Sequence, residues 1–181
     1  MVPELPAATG STPSLYESRE TVTPDNPIDQ FVLDKLKAKN IQPARVCSDS
    51  VFVRRVYLDV IGTLPTLEET QVFLKDTNPK KREALIDRLL ARDEFAAYWA
   101  MKWSDLLRVK SEYPINLWPE AAQAYHHWVR ISLQENKPYD RFVRELVTAS
   151  GSNFREPEAN FYRALQSREP DAVSHAVALT W

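Results

Sequence analysis

The sequence predicts an all-α protein, an irregular bundle of about eight helices behind an extended N-terminal arm. Three observations carry that prediction. The 181 residues hold only three glycines but thirteen prolines, a balance that starves tight β-turns and suits helices opened and closed by Pro. Apolar residues recur at three- and four-residue steps along most of the chain. Helix-start signals stand at the head of most of these runs, Pro or a capping side chain in each case.

The organising stretch is 95–108, FAAYWAMKWSDLLR, with two of the five tryptophans and neither Gly nor Pro. Phe95, Trp99, Trp103 and Leu106 or Leu107 share one helix face, and aromatics of this size dominate cores. It reads as the central helix, capped by Asp93, with its aromatic face forming the core.

Residues 1–26 form a Pro-rich arm or linker, since four prolines among Ser, Thr and Ala bury too little to order the segment. Residues 27–181 form a single helical domain. Pro27 opens the first helix behind Asp25 or Asn26, and Ile28, Phe31, Val32, Leu33 and Leu36 give it a broad apolar face as far as Asn40. Ser48 or Asp49 caps a second helix to Ile61, although its β-branched content also suits a strand, and Gly62 is the left-handed residue that closes it. Thr66 and Glu69 make a capping box for a third helix over 67–75. Asn78-Pro79 starts a fourth, to Ala91, with Leu85, Ile86, Leu89 and Leu90 inward and Lys80, Lys81 and Arg82 in water. The short turn after it predicts antiparallel packing on the central helix. Residues 110–118 are irregular, and Pro119 starts a helix to Gln134. Further helices cover 139–150 and about 159–166, and Pro170 opens the last. The apolar run 176–181 stops abruptly, so Trp181 is expected to mark a cut in a longer chain, with a further segment of the domain beyond it.

Composition and motifs exclude several activities. A formal charge of -2 does not suit a dedicated nucleic-acid binder. The helix–turn–helix outline around GTLPT would present Glu68, Glu69 and Asp76 to phosphate, so it reads as a plain hairpin. No run approaches the roughly 18 apolar residues of a membrane span. Cys47 is the only cysteine, which rules out an intramolecular disulfide and a multi-cysteine zinc site. There is no Gly-rich phosphate loop, and no Gly-x-Ser-x-Gly elbow surrounds Ser174. His126 and His127 are adjacent, about 100° apart on a helix, so one faces inward and the other outward and they do not chelate one metal. Asp171 and His175, four apart, could orient an imidazole or simply stand exposed. Asp105 and Arg108 could pair at their spacing, with Glu112 and Tyr113 near a small pocket, but read as a framework ion pair before a catalytic one. Asp140 favours the start of its helix. No catalytic, metal-binding or cofactor-binding set is identified, and whether the parent protein is an enzyme stays open.

Four stretches in order carry a resemblance: IDQFVLDKL at 28–36, SVFVRRVYLDVIGTLPTLEETQVFL at 50–74, LIDRLLARDEFAAYWAMKWSDLLR at 85–108, and YHHWVRISLQENKPYDRFVRELVTASGSNF at 125–154. The chain resembles the cytochrome-c-associated domain of unknown function found in large secreted proteins of planctomycetes and related bacteria. Arg54-Arg55-Val56-Tyr57-Leu58-Asp59, Leu64-Pro65 and Pro138-Tyr139-Asp140 are the most distinctive pieces. The chain departs from the pattern after Arg108, where VKSE replaces the more usual Tyr-Ala-Asp-Ser, and at His127, where an Asp commonly precedes the Trp. The resemblance implies a multidomain exported parent, periplasmic or secreted, with a cytochrome c domain and other domains of the same polypeptide as partners. The resemblance also implies that many relatives continue into a Cys-x-x-Cys-His haem-attachment sequence, so that any c-type haem would be a cofactor of the parent protein and none is expected in this chain. This chain, with one cysteine, cannot attach it covalently. It implies an accessory or docking domain, possible support for electron transfer, and a polar framework of Arg54, Arg55, Tyr57, Asp59, Asp105, Arg108, His126 and Asp140. The alternatives are the non-catalytic part of an extracellular polymer-degrading enzyme, or a plain protein-interaction module.

Overall fold

A computed structural model describes residues 15–18, 21–111, 117–165, 167 and 169–181. The order along the chain is α1 (Pro27–Ala38), α2 (Asp49–Ile61), α3 (Leu67–Lys75), α4 (Lys81–Leu90), α5 (Asp93–Leu106), α6 (Pro119–Gln134), α7 (Tyr139–Thr148), a 3-10 turn (Pro157–Ala159), α8 (Asn160–Arg163) and α9 (Pro170–Thr180). The fold is all-α, and among the described residues the β-structure is one isolated antiparallel bridge, Glu17 to Cys47. The chain divides into two compact units. One takes in Met1–Leu58 and Leu64–Lys81, the other Asp59–Thr63 and Arg82–Trp181.

In the first unit, Asn26 caps α1 by accepting from the backbone N–H groups of Ile28 and Asp29. The helix closes on Asn40 at φ 54, with Ile41 N–H donating to the Leu36 carbonyl. No residue of α1 is buried, and Ile28, Phe31 and Val32 stand 73%, 61% and 48% exposed. Residues 15–18 of the expected arm run beside the entry to α2: Ser48 N–H donates to the Tyr16 carbonyl and Ser18 N–H to the Val46 carbonyl. Ser48 was an expected cap for α2, but its hydroxyl donates to the Leu15 carbonyl instead. On α2 the helix prevails over the strand, because Val53, Val56, Tyr57 and Ile61 are buried at helical spacing. The capping box of α3 forms in both directions, Thr66 N–H to Glu69 Oε2 at 2.8 Å and Glu69 N–H to Thr66 Oγ1 at 3.1 Å. Phe73 is buried and stacks on Phe52 at 5.8 Å.

Lys81 departs from the expectation that it faces water. Its ammonium forms an ion pair with Asp49 at 2.7 Å, donates to the Asp76 carbonyl at 2.9 Å and stands 5.0 Å from the Phe73 ring centroid. A cation satisfies the orphan carbonyls past the end of α3 and the acidic start of α2 at once, which a solvated lysine would not do.

The second unit is built on α5 and α6, whose mutual contact is the most extensive between any two helices. Gln134 Nε2 at the end of α6 donates to Asp93 Oδ1 at the start of α5 at 2.9 Å, so the two run antiparallel. Asp93 is the first helical residue and not the cap; Arg92 holds the cap position without a side-chain bond to the helix-start N–H groups, its guanidinium donating instead to Glu94. The fully buried residues of α5 are Ala96 and Ala100 rather than the tryptophans, and α6 buries Ala121, Tyr125, Val129 and Ser132. Small residues let the backbones approach, while Phe95, Trp99 and Trp103 flank the seam half-buried. Trp99 Nε1 donates to the Val60 carbonyl at 3.1 Å. Leu90, expected in the core, is exposed on α4, whereas Leu85 and Leu89 are buried.

The core continues through Leu107, Leu117, Phe142, Leu146, Phe161 and Ala164. Trp128 stacks on Phe142 at 5.0 Å, Trp103 meets Phe142 edge-on at 5.4 Å, and Trp181 lies 5.8 Å from Trp103. Asn160, buried, donates to the carbonyls of Asn153 and Pro157 and so pins the loop before α8. Gly62 sits at φ 72 against the Tyr98 ring, so a Cβ there meets both a backbone penalty and an aromatic wall.

Candidate functional site

The polar candidates are scattered. Arg54, Arg55 and Asp59 are exposed on α2, and Tyr57 is buried on the same helix. Asp140 is exposed in the first turn of α7. His126 is half-buried on α6 and His127 exposed, the expected inward and outward pair. Asp105 is exposed at the end of α5. Among the described residues of the second unit, no side-chain hydrogen bond or ion pair joins Asp105, Arg108, His126 and Asp140; Arg108 N–H donates to the Asp105 carbonyl at 3.3 Å as part of the helix end. The expected neighbours Glu112 and Tyr113 lie outside the described residues.

Arg108 is the candidate that the structure sets apart. The helix stops at Leu106, and Arg108 takes a left-handed backbone at φ 58. Val109 N–H then donates to the Ser104 carbonyl at 2.8 Å, which closes the helix end in the manner normally left to Gly. A non-Gly residue pays about 1 kcal/mol for that conformation. The guanidinium Nη1 donates to Thr180 Oγ1 on α9 at 3.3 Å. The framework pair expected between Asp105 and Arg108 is therefore replaced by a tie between α5 and the last helix.

This tie borders an open cleft of about 340 Å³. Arg108, Ser167 and His175 supply its polar groups, and Leu165, Ala176 and Leu179 its apolar wall. Asp171 is exposed in the first turn of α9, and among the described residues no hydrogen bond joins it to His175. Tyr125, on α6, is fully buried, and among the described residues its hydroxyl has no hydrogen-bond partner. Burial raises its phenol above the ordinary 10.0, and the positive charge of Arg108 acts in the opposite direction.

A second polar cluster lies along α7. Glu145 accepts from Lys137 and from Arg141, the latter at 2.7 Å, and Lys137 Nζ stands 4.6 Å from the Trp128 ring centroid. Desolvation pushes the Glu145 carboxyl up, but the two cationic hydrogen bonds outweigh it and hold the group below its ordinary 4.5. No sequence rule points to Lys137 as a partner, because the eight-residue separation matches no helix spacing. Among the described residues, no group of three or more His, Cys, Asp or Glu is placed to hold a metal ion, and no helix is long and apolar enough to cross a membrane.

The architecture is that of a helical module with a polar cleft and no assembled catalytic set among the described residues. Residues 27–178 match the profile of PSCyt2, a protein family of unknown function (DUF1549), and the chain belongs to that family. No curated protein and no solved structure matches the chain.

Proposed function

We propose that the chain is a non-catalytic accessory domain that docks onto another domain of its own polypeptide, through α1, in an exported cytochrome-associated protein. The single observation that carries this reading is the apolar face of α1. Ile28, Phe31 and Val32 lie within one and a quarter turns of a well-capped helix, yet stand exposed. A helix gains little from propensity alone and is held by packing of its apolar face, so a stably encoded helix with that face uncovered is suited to a partner surface. The name of the family supports a cytochrome association, and with it a supporting role in electron transfer and a periplasmic or secreted setting. Haem, on this reading, is carried by the parent polypeptide, since one cysteine cannot form the two thioether links of a c-type attachment.

Photo-cross-linking in the full-length parent tests the docking. With benzoylphenylalanine in place of Phe31, cross-linked peptides mapped by mass spectrometry should join α1 to another domain of the same polypeptide. Cross-links confined to this chain would refute the docking role. Haem stain on a denaturing gel and Soret absorbance of the parent test the electron-transfer part separately, and a parent without covalent haem would remove it.

A further inference from the structure

We infer that the cleft between the end of α5 and α9 is a binding site for an organic carboxylate with an apolar body, with the Arg108 guanidinium as its anchor. The inference is independent of the docking role of α1.

Four observations converge on it. Arg108 is half-buried, and among the described residues Thr180 Oγ1 is the only hydrogen-bond partner of its guanidinium, at 3.3 Å, so most of its five N–H donors are unmatched. Its backbone holds φ 58, a conformation that costs a non-Gly residue about 1 kcal/mol and that gathers at ligand sites. A second polar group, Ser167, lines the same cleft. His175, exposed on α9, adds an imidazole to the rim of the cleft.

The chemistry of the lining selects the ligand. A planar guanidinium fork matches a carboxylate in two parallel hydrogen bonds. Among the described residues the cleft holds one permanent cation, Arg108, so a phosphate dianion would leave a charge uncompensated beside apolar walls, at a large desolvation cost. Leu165, Ala176 and Leu179 instead offer contact to an apolar body about the size of a phenyl ring, and an open volume of about 340 Å³ accommodates it. The carboxylate could belong to a free acid or to the C-terminus of a peptide, and both present the same group.

Titration of the 15N-labelled chain with 3-phenylpropionate, its amide, N-acetylphenylalanine and inorganic phosphate tests the assignment. Saturable shifts of the Arg108, His175 and Thr180 amides are expected with phenylpropionate, at a Kd on the order of 1 mM for so small a ligand. The amide should bind at least ~10-fold more weakly, because it lacks the charge that the fork reads. N-acetylphenylalanine binding more tightly than phenylpropionate supports a peptide C-terminus, and the reverse order supports a free acid. Arg108→Gln should weaken phenylpropionate binding by about 10-fold or more. Leu179→Glu, at a 67% exposed position on the cleft wall, should abolish binding by repulsion without touching Arg108 or the core. The assignment is overturned by any of four results: no saturable shift, an amide that binds equally, phosphate that binds more tightly, or unchanged binding in folded Leu179→Glu.

Discussion

Among the described residues, the hydroxyl of Tyr125, in the core of the second unit, has no hydrogen-bond partner, and its burial keeps the phenol protonated well above its ordinary 10.0. A buried donor without a partner bears the desolvation cost with no return, so removing the oxygen costs little. Tyr125→Phe should change stability at pH 7 by less than about 1 kcal/mol, by contrast with the larger loss when a bonded hydroxyl is deleted. The pH dependence gives a second reading. The phenol ionises near 10.0 in the unfolded chain but at higher pH in the folded one, so its contribution is complete below pH 10 and is lost as pH rises beyond it. Denaturant midpoints measured at pH 7 and pH 10.5 should therefore converge in Tyr125→Phe relative to the parent chain. A loss of 2 kcal/mol or more at pH 7 would mean that the hydroxyl has a partner after all.

Besides α2, which closes on Gly62, three helices end on a non-Gly residue in the left-handed region, and comparing them shows which ends are locally encoded. Asn40 closes α1 and Asn136 closes α6, at φ 54 and φ 48. Asn tolerates that region through its short polar side chain, so both stops could be read from composition. Arg108 closes α5 at φ 58 without such help. Its side chain is tied to Thr180, 72 residues onward, and no local pattern announces that partner. The ion-pair cluster on α7 behaves similarly: the Arg141–Glu145 step is the familiar i,i+4 spacing, but Lys137 arrives from the preceding loop. Because the folded Glu145 carboxyl is held below 4.5, its contribution is complete above that pH and disappears as pH falls through the lowered folded value. Thermal unfolding between pH 6 and pH 3 should show a shallower acid decline in Glu145→Gln than in the parent. Parallel curves would show that the cluster contributes no net proton linkage.

Across the molecule, burial is uneven. The helix α1 buries no residue, whereas α6 buries Ala121, Tyr125, Val129 and Ser132. Segments with few buried contacts open at low free energy and core helices only near global unfolding. Native-state hydrogen exchange of the chain alone should find the α1 amides exchanging at least ~100-fold faster than those of Val129 and Ser132. Comparable protection of the two helices would show that α1 is covered in the chain itself, and would remove the basis for its docking role.

Most of the helical order was legible in the residues. Pro27, Pro119 and Pro170 each open a helix where a fixed φ and a missing N–H cost nothing, and the Thr66–Glu69 box and Gly62 mark their boundaries as local chemistry requires. Those signals act over a few residues and need no partner. What they could not specify is how faces meet. Periodicity placed Phe95, Trp99 and Trp103 on a core face, but the close α5–α6 seam selected the alanines between them, because backbone approach is limited by the smallest side chains. Charge counting placed Lys81 in water, but the carboxylate of Asp49 on another helix, with the nearby Asp76 carbonyl and Phe73 ring, draws it in. The spacing of Asp105 and Arg108 suggested a pair, and a long-range hydrogen bond redirected the arginine to the cleft. The periods of a helix are set by its own backbone, whereas partners far apart in sequence are chosen only when tertiary packing brings them together.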